Sequence, residues 1–241
     1  MDSDTPITGP VRPAPRRRPQ PVDRTYKVGR KAFLAGVAAT GGALVLGKHV
    51  GSIPSLNFVP GSNSVGGFTI YTVTSGYPSF KPDTYRLLID GLVAQPLTMT
   101  LSDILRHPAV TERRFYQCVT GWTVPNTTWT GIRLADLLDR VQPQSGAHAV
   151  KFYSFDGVYT ESLTMEQARH SDVLLAYKLQ GKPLATAQGA PLRLVVPGMY
   201  GYKFIKWLDH IELVTRPVDG YWEQNGYDRD AYIGRSNGHT A

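Results

Sequence analysis

The chain has 241 residues, of which 41% are hydrophobic, and this predicts one globular domain with tails or at most two small domains. The formal net charge of +7 is uneven: residues 1 to 31 contain eight Lys or Arg and three acids, so the remaining 210 residues carry only +2. Such a body lacks the excess of basic residues expected of a nucleic-acid-binding protein. A single cysteine, Cys118, excludes an intramolecular disulfide.

The N-terminal region is predicted to form a tail, an export segment and a linker. Residues 1 to 31 are a basic tail rich in Pro and Arg, which is too polar to fold by itself. Residues 32 to 47 carry no charge, but this run is shorter than the roughly 20 residues of a spanning helix and contains four glycines. It therefore resembles the apolar part of an export signal, which is either cleaved or retained as a membrane anchor. Residues 48 to 67 form a Gly- and Ser-rich linker.

The residues just before the apolar run refine this prediction. Arg30-Lys31 followed by Phe33-Leu34 resembles a twin-arginine export signal, with Lys in place of the second Arg. Because the twin-arginine route carries folded proteins, such a signal predicts a cofactor that is loaded before export. The expected destination is the periplasm or the cell envelope.

The body, residues 68 to 215, is predicted to consist of short strands with short helices between them. Alternating apolar residues predict a strand at 85–91, and a capping box at residues 100–103 predicts a short helix that Pro108 stops. The same patterns predict strands at 113–119, 150–155, 158–163, 173–177, 192–196 and 204–214, and helices at 133–141 and after the capping box at 164–167. This order has no βαβ rhythm and no internal repeat, so the predicted class is α+β with mixed β-sheets.

The C-terminal residues 216 to 241 are expected to pack on the body. They contain four aromatic residues, whereas disordered tails are poor in aromatics. We expect this segment to cover a site.

Cys118 is either a small buried hydrophobic residue or a thiolate that binds a ligand. A single cysteine in a strand is most often a small buried hydrophobic residue. Here, however, a turn containing Gly121 follows the strand at once, which places the thiol at a strand end, and Arg113 and Arg114 lie upstream, where cations favour a thiolate. The six histidines are scattered, so a Cys–His nucleophile has no supporting context.

Common cofactor motifs are absent from the sequence. One cysteine and dispersed histidines give no zinc ligand set, no CxxCH haem motif and no iron–sulfur cluster. There is no Walker-type loop and no GxGxxG motif. A redox role for Cys118 therefore leaves few options, one of which is a metal held mainly by an organic chelator with one protein sulfur.

Several segments resemble the molybdopterin-binding domain of the sulfite oxidase family, in the family's order over about residues 68 to 215. The segments are residues 115–122 (FYQCVTGW), 129–134 (WTGIRL), 136–138 (DLL), 154–157 (SFDG), 174–177 (LLAY), 189–197 (GAPLRLVVP), 200–203 (YGYK) and 206–207 (KW). The Gly121-Trp122 pair and the C-terminal tail resemble the bacterial branch that includes periplasmic sulfoxide reductases. The resemblance implies the fold of that family.

The resemblance also implies a cofactor and its contacts. Cys118 occupies the position of the cysteine that ligates molybdenum, whose other sulfur ligands come from molybdopterin. Arg193 and Lys206, with Lys203 nearby, stand where the family binds the pterin phosphate, and Gln188 stands where His or Asn is more usual. The full set of implied cofactor contacts is Tyr71, Thr72, Cys118, Ser154, Gln188, Arg193, Lys203, Phe204 and Lys206.

The chemistry implied by the resemblance is oxygen-atom transfer to or from a small molecule such as sulfite or a sulfoxide. Arg114, or its neighbour Arg113, is the expected residue for orienting an anionic substrate, unless it pairs with an acid. Tyr200 and Tyr202 are expected either to wall the pocket or to lie in the core, and Trp122 and Trp129 to pack. Electrons are expected to pass to or from a separate partner, such as a membrane haem protein. The alternative is an exported binding or structural domain that keeps this fold without the metal.

Overall fold

The computed structural model describes residues 64–65 and 67–235. Twelve strands are present within these residues. They are β1 (Ser64–Val65), β2 (Phe68–Thr69), β3 (Arg86–Gly91), β4 (Leu97–Thr100), β5 (Val110–Gln117), β6 (Thr123–Arg133), β7 (Ala149–Ser154), β8 (Thr160–Thr164), β9 (Leu174–Leu179), β10 (Lys182–Pro183), β11 (Arg193–Val195) and β12 (Leu208–Val214). The α-helices of the described part are α1 (Leu101–Arg106), α2 (Leu134–Val141), α3 (Met165–Ala168) and α4 (Tyr221–Gln224).

The strands form two five-stranded sheets and a two-stranded ribbon of β1 and β2 in the described part of the chain. The first sheet has the order β10-β9-β6-β5, with β11 also paired to β9, and all of its pairs are antiparallel. The second sheet has the order β4-β3-β12-β7-β8, and its β12–β3 pair is parallel. The predicted α+β class with mixed sheets is confirmed.

Local sequence signals explain where the short helices begin. Thr100 accepts a hydrogen bond from the backbone of Asp103, whose carboxylate accepts one from the backbone N–H of Thr100, so a capping box opens α1. Thr164 and Gln167 form the same arrangement at α3. Helix α2 buries Leu134, Leu137, Leu138 and Val141, the apolar face that its spacing predicts.

The sequence prediction and the structure differ at several elements, including β6 and the start of β12. The sequence prediction left out β6, an eleven-residue strand at the centre of the first sheet. The predicted strand at 204–214 begins only at Leu208, because residues Gly201–Lys203 form a 3-10 turn and Trp207 adopts a left-handed φ of 55°. Because β12 begins only at Leu208, residues 201–207 form a loop.

The C-terminal segment, residues 216–235, lies against the body. Ser162 donates its hydroxyl proton to the carbonyl of Val218 at 2.6 Å and accepts the N–H of Val218 at 3.1 Å. The backbone N–H of Tyr200 donates to the carbonyl of Ala231 at 2.9 Å, and Tyr202 donates to the carbonyl of Asp228 at 2.7 Å. The segment is therefore bonded both to β8 and to the loop before β12.

The predicted tail, export segment and most of the linker lie outside the described residues. Within the described part, no helix is both long and apolar enough to cross a membrane.

Candidate functional site

A cleft beside Cys118 brings together six separated parts of the chain. Its inner cavity measures about 120 Å³, and the empty space including the open mouth is about 890 Å³. The walls come from residues 68–73, the end of β5 with the turn after it, Asp156 and Tyr159, Arg193, residues 201–202 and 204–207, and the C-terminal segment. Because the loop 201–207 and the C-terminal segment follow irregular paths, they close over one end of the first sheet.

Cys118 lies in the turn that follows β5. Its backbone N–H donates to the carbonyl of Trp122 at 2.9 Å, and its own carbonyl accepts the N–H of Gly121 at 3.0 Å. Gly121 adopts a φ of 104°, a conformation that glycine tolerates best, so this residue allows the tight turn. The turn places a 9% exposed thiol in the cavity wall.

The sulfur of Cys118 is surrounded by hydrogen-bond donors. The hydroxyl of Thr120 donates to Sγ at 3.1 Å. Burial raises the pKa of the Cys118 thiol, while the Thr120 hydroxyl and the backbone N–H groups of Thr120 and Val119 act in the opposite direction. Donors around a sulfur favour its anionic form, which is the form that binds metals.

Arg193 supplies a buried positive charge to the cavity. Its guanidinium donates to the carbonyls of Gln188 at 2.8 Å and Phe204 at 2.9 Å, and it lies 5.1 Å from the ring centre of Trp129. Its Nε is buried and has no hydrogen-bond partner among the described residues. Burial lowers the pKa of Arg193 to about 10, so the group remains charged at neutral pH.

Lys206 supplies a second cation to the same cavity. Its Nζ donates to the carbonyl of Tyr71 at 2.6 Å and lies 4.2 Å from the ring centre of Trp207. Burial and the charge of Arg193 lower the pKa of Lys206 to about 7, although Asp156 acts to raise it. Two cations that repel each other in a buried site favour the binding of an anion.

Asp156 lines the cavity near these cations. Its Oδ1 accepts the backbone N–H groups of Val158 at 2.9 Å and Tyr159 at 2.8 Å. Its Oδ2 is buried without a hydrogen-bond partner among the described residues. The cavity thus offers a free buried acceptor as well as the free donor of Arg193.

Six of the predicted cofactor residues lie in the wall of this one cavity. They are Tyr71, Thr72, Cys118, Arg193, Phe204 and Lys206. They come from four distant points in the sequence.

Ser154 and Gln188 lie one step behind this wall. The Ser154 hydroxyl accepts the backbone N–H of Asp156 at 3.1 Å, and the carbonyl of Gln188 accepts from Arg193. The side chain of Gln188 caps its own 3-10 turn by accepting the N–H of Ala185 at 2.9 Å. These two residues support wall residues and do not line the cavity themselves.

Two predicted site residues lie elsewhere. Arg114 forms ion pairs with Glu112 at 2.9 Å and Asp172 at 3.2 Å, outside the cavity wall, so the structure does not bring it to a substrate. The sequence left open whether Arg114 orients an anion or pairs with an acid, and in the structure it pairs with two acids. Lys203 is buried between Glu161 and Glu223, and its Nζ also donates to the carbonyl of Ser162, so it is not free to bind a phosphate in the cavity.

The sequence prediction missed several wall residues, most of them aromatic. They are Tyr116, Asp156, Tyr159 and Trp207. Trp222 and Tyr227 also line the cavity, and they belong to the C-terminal segment that the sequence predicted to cover a site. Asp156 lies in the segment 154–157 that resembles the family, but the sequence analysis gave it no cofactor contact. Tyr202 lines the wall, whereas Tyr200 is fully buried, so the structure separates the two roles that were open for this pair.

Comparisons with known proteins identify the family of this chain. The family model described as the oxidoreductase molybdopterin binding domain matches residues 74–222, which is more than half of the chain. The chain belongs to this family. Membership implies the fold of this family and a domain that binds molybdopterin.

Two curated relatives and one solved structure are similar to this chain. The protein-methionine-sulfoxide reductase catalytic subunit MsrP of Ralstonia nicotianae is 33% identical over 159 residues, which are 60% of this chain and 48% of that protein. The uncharacterized oxidoreductase YuiH of Bacillus subtilis is 32% identical over 155 residues, 64% of this chain and 78% of that protein. The crystal structure of the sulfane dehydrogenase SoxCD from Paracoccus pantotrophus aligns with a TM-score of 0.60 and 27% identity, over 72% of this chain and 50% of that one. The match thus spans about half of MsrP and of SoxCD.

Proposed function

We propose that this chain is a molybdopterin-dependent oxidoreductase in which Cys118 Sγ ligates molybdenum. The observation that carries the proposal is one cavity whose wall contains a buried thiol, the buried cation Arg193 and the half-buried cation Lys206. The family match supports a molybdopterin-binding domain, and the donors around the sulfur support a thiolate ligand.

The basic part of the cavity fits the phosphate of the pterin. Arg193 has an unused buried Nε donor, and Lys206 uses one of its three ammonium donors on the carbonyl of Tyr71. A bound phosphate would complete these donors and relieve the repulsion between the two cations. On this proposal Lys206 becomes fully protonated when the cofactor binds.

The remaining wall fits the pterin ring system. The aromatic residues that flank the cleft present flat apolar faces, and the free Oδ2 of Asp156 can accept an N–H of the pterin ring. Molybdenum held by the dithiolene sulfurs and by Cys118 would supply a two-electron oxygen-atom couple.

The protein groups have separate tasks in this scheme. Cys118 holds the metal, and Arg193 and Lys206 anchor the anionic part of the cofactor. Tyr71 connects the metal end of the site with its anion end, because its carbonyl binds Lys206 while its side chain faces Cys118. The aromatic walls exclude water from the reacting atoms and admit a small substrate. We propose a sulfur compound of the sulfite or sulfoxide type, in accord with the names of MsrP and SoxCD.

Replacement of Cys118 by Ser tests the ligand assignment. Wild-type protein from a host that makes molybdopterin should contain about one molybdenum per chain. In Cys118→Ser, oxygen-atom transfer should be abolished, and X-ray absorption should count one sulfur neighbour fewer around molybdenum. Arg106→Gln, which breaks an exposed pair with Asp103, is the control and should match wild type.

The same samples decide against the alternative of a metal-free domain. Wild-type protein that carries no molybdenum from a competent host would support the alternative and refute the proposal. A Cys118→Ser protein with normal turnover and an unchanged sulfur count would refute the ligand assignment alone.

We further propose that the chain is exported in its loaded form and exchanges electrons with a separate membrane haem protein. The Arg30-Lys31 pair before an apolar run supports export, and the single cysteine supports an external electron partner because it excludes c-type haem and iron–sulfur clusters. Replacing both Arg30 and Lys31 by Gln should leave the loaded protein inside the cell, as measured by fractionation. Unchanged export of this double variant would contradict the twin-arginine assignment.

A further inference from the structure

Lys203, which the cofactor site does not use, is the centre of a buried triad of charges. Its Nζ donates to Glu223 Oε1 at 2.8 Å, to Glu161, and to the carbonyl of Ser162 at 2.9 Å. The side chains of all three ionisable residues are almost entirely buried, with exposures of 1% for Lys203, 0% for Glu161 and 2% for Glu223. We call Glu161, Lys203 and Glu223 the triad.

The triad contains two carboxyl groups for one ammonium. Burial alone would lower the pKa of Lys203, but the two carboxylates outweigh it and raise that pKa above its ordinary value. Burial raises the pKa of Glu161 well above its usual range, and the nearby Glu223 adds to this effect. Both directions follow from one ammonium that is buried against two carboxyl groups.

The three members come from three separate parts of the fold. Glu161 lies on β8, Lys203 on the 3-10 turn before β12, and Glu223 on α4 in the C-terminal segment. Each is next to or near residues that wall the cavity: Lys203 lies between Tyr202 and Phe204, and Glu223 follows Trp222. The triad therefore connects the C-terminal segment, which forms one wall of the cavity, to the rest of the domain through charged side chains.

The energetics of buried charges argue for a positional role. Burying an ammonium and two carboxyl groups costs about as much free energy as their attraction returns, so apolar residues of similar size would stabilise the fold equally well. The triad instead determines the position of the segment, because the hydrogen bonds to Lys203 Nζ fix where α4 lies. The mutual bonds of Ser162 with Val218 hold the start of the same segment.

We infer that the triad is a latch that positions the C-terminal segment as a wall of the cofactor cavity, with Glu223 as a positioning residue that acts through Lys203. This inference rests on the proposed function, because the ligand that the wall retains is the pterin cofactor. With the latch closed, Trp222 and Tyr227 limit the escape of the bound cofactor. With the latch open, the cavity loses one side.

Trypsin cleavage of the full chain without cofactor tests the latch directly. Arg229 is exposed on the C-terminal segment and pairs with Asp219, so cleavage after it reports how often the segment leaves the body. Glu223→Gln should be cut after Arg229 about tenfold faster than wild type, since it breaks the ion pair that ties α4 to the buried charge of Lys203 and leaves that charge with Glu161 as its one remaining carboxyl partner. Asp139→Asn, which breaks an exposed pair with Arg169, is the matched control and should be cut at the wild-type rate.

Cofactor retention is the second measurement. Loaded Glu223→Gln should lose pterin during dialysis about tenfold faster than loaded wild type, measured by pterin fluorescence, because affinity losses act mainly on dissociation. Ser162→Ala loosens the same segment without changing a charge and serves if Glu223→Gln does not fold; it should show both effects in weaker form.

The two measurements separate failure of the latch from failure of the proposed function. Wild-type rates of cleavage and of pterin loss in both variants would overturn the latch. A complete absence of pterin from every protein, including wild type, would overturn the proposed function, while the cleavage rates of cofactor-free protein would still decide whether the triad holds the segment. The latch would also be overturned if the faster cleavage came with a matching loss of global thermal stability. A positional role instead predicts local opening of the segment with a nearly unchanged melting temperature.

Discussion

Lys206 is a half-buried ammonium in an environment that favours an anion. Its closest charged neighbours are Arg193, which acts to lower its pKa, and Asp156, which acts to raise it. Burial, the largest cause, and Arg193 together bring the pKa to about 7, against an ordinary value of 10.5. Without a bound anion, the protonated form of Lys206 therefore destabilises the folded state.

The stability of the cofactor-free protein should depend on pH through this residue. Because the folded pKa of Lys206 is lower than the unfolded one, its contribution to stability is present above pH 10.5 and is lost as pH falls towards 7. Lys206→Met should remove this dependence and raise the melting temperature of the cofactor-free protein near pH 7, by roughly 2–4 °C for each kcal/mol gained. Thermal melts between pH 7 and 9.5 provide the measurement. The loaded variant should instead retain less pterin than loaded wild type, and equal retention would contradict the role in phosphate binding.

Strand β6 depends on a close approach between two backbones in the first sheet. At Gly131 a Cβ atom would lie 2.1 Å from the carbonyl oxygen of Leu175 and 2.6 Å from the Cα of Ala176, where β6 pairs with β9. Because backbone atoms within a sheet have little room to move, Gly131→Ala should destabilise the protein by several kcal/mol, about 3 or more.

Gly157 provides the matched comparison. It adopts a φ of 78° in an exposed turn, and a Cβ atom there would meet nothing within 4 Å. Gly157→Ala should therefore cost only the local backbone strain, about 1 kcal/mol. Denaturant unfolding measures both variants, and similar losses of stability would contradict the close approach at Gly131.

The elements that the sequence predicted correctly have strong local signals. The capping boxes and the apolar face of α2 depend on residues within one or two turns of each other, so the sequence shows them directly. Strand β6 was missed because Pro125 and Asn126 interrupt its early part, and Asn126 adopts a φ of 56°. A register shift in the β5–β6 pairing between Arg114 and Tyr116 absorbs this irregularity, and such a shift depends on the partner strand.

The candidate site is a property of the whole molecule. Motif resemblance found Cys118, Arg193 and Lys206, since these residues stand in characteristic local patterns. It also selected Lys203, whose neighbours Glu161 and Glu223 are 42 and 20 positions away in sequence, and no local pattern predicts their ion pairs. The sequence predicted that the aromatic C-terminal segment covers a site, but it did not show which aromatic residues line the cavity, because that depends on how the segment meets the loop before β12.

Binding of the cofactor should stabilise the chain as a unit, because the cavity joins the first sheet, the loop at 201–207 and the C-terminal segment. A ligand held only by the folded state adds free energy that grows with the logarithm of its concentration over its Kd, about 4 kcal/mol at a thousandfold excess. The loaded protein should therefore melt roughly 8–16 °C higher than the cofactor-free protein. Scanning calorimetry of both forms measures the difference, and Lys206→Met, which weakens the anion site and relieves the cofactor-free state, should reduce it. A melting temperature that loading leaves unchanged would mean that the cofactor does not bind the folded state in preference to the unfolded chain, which would contradict the proposed site.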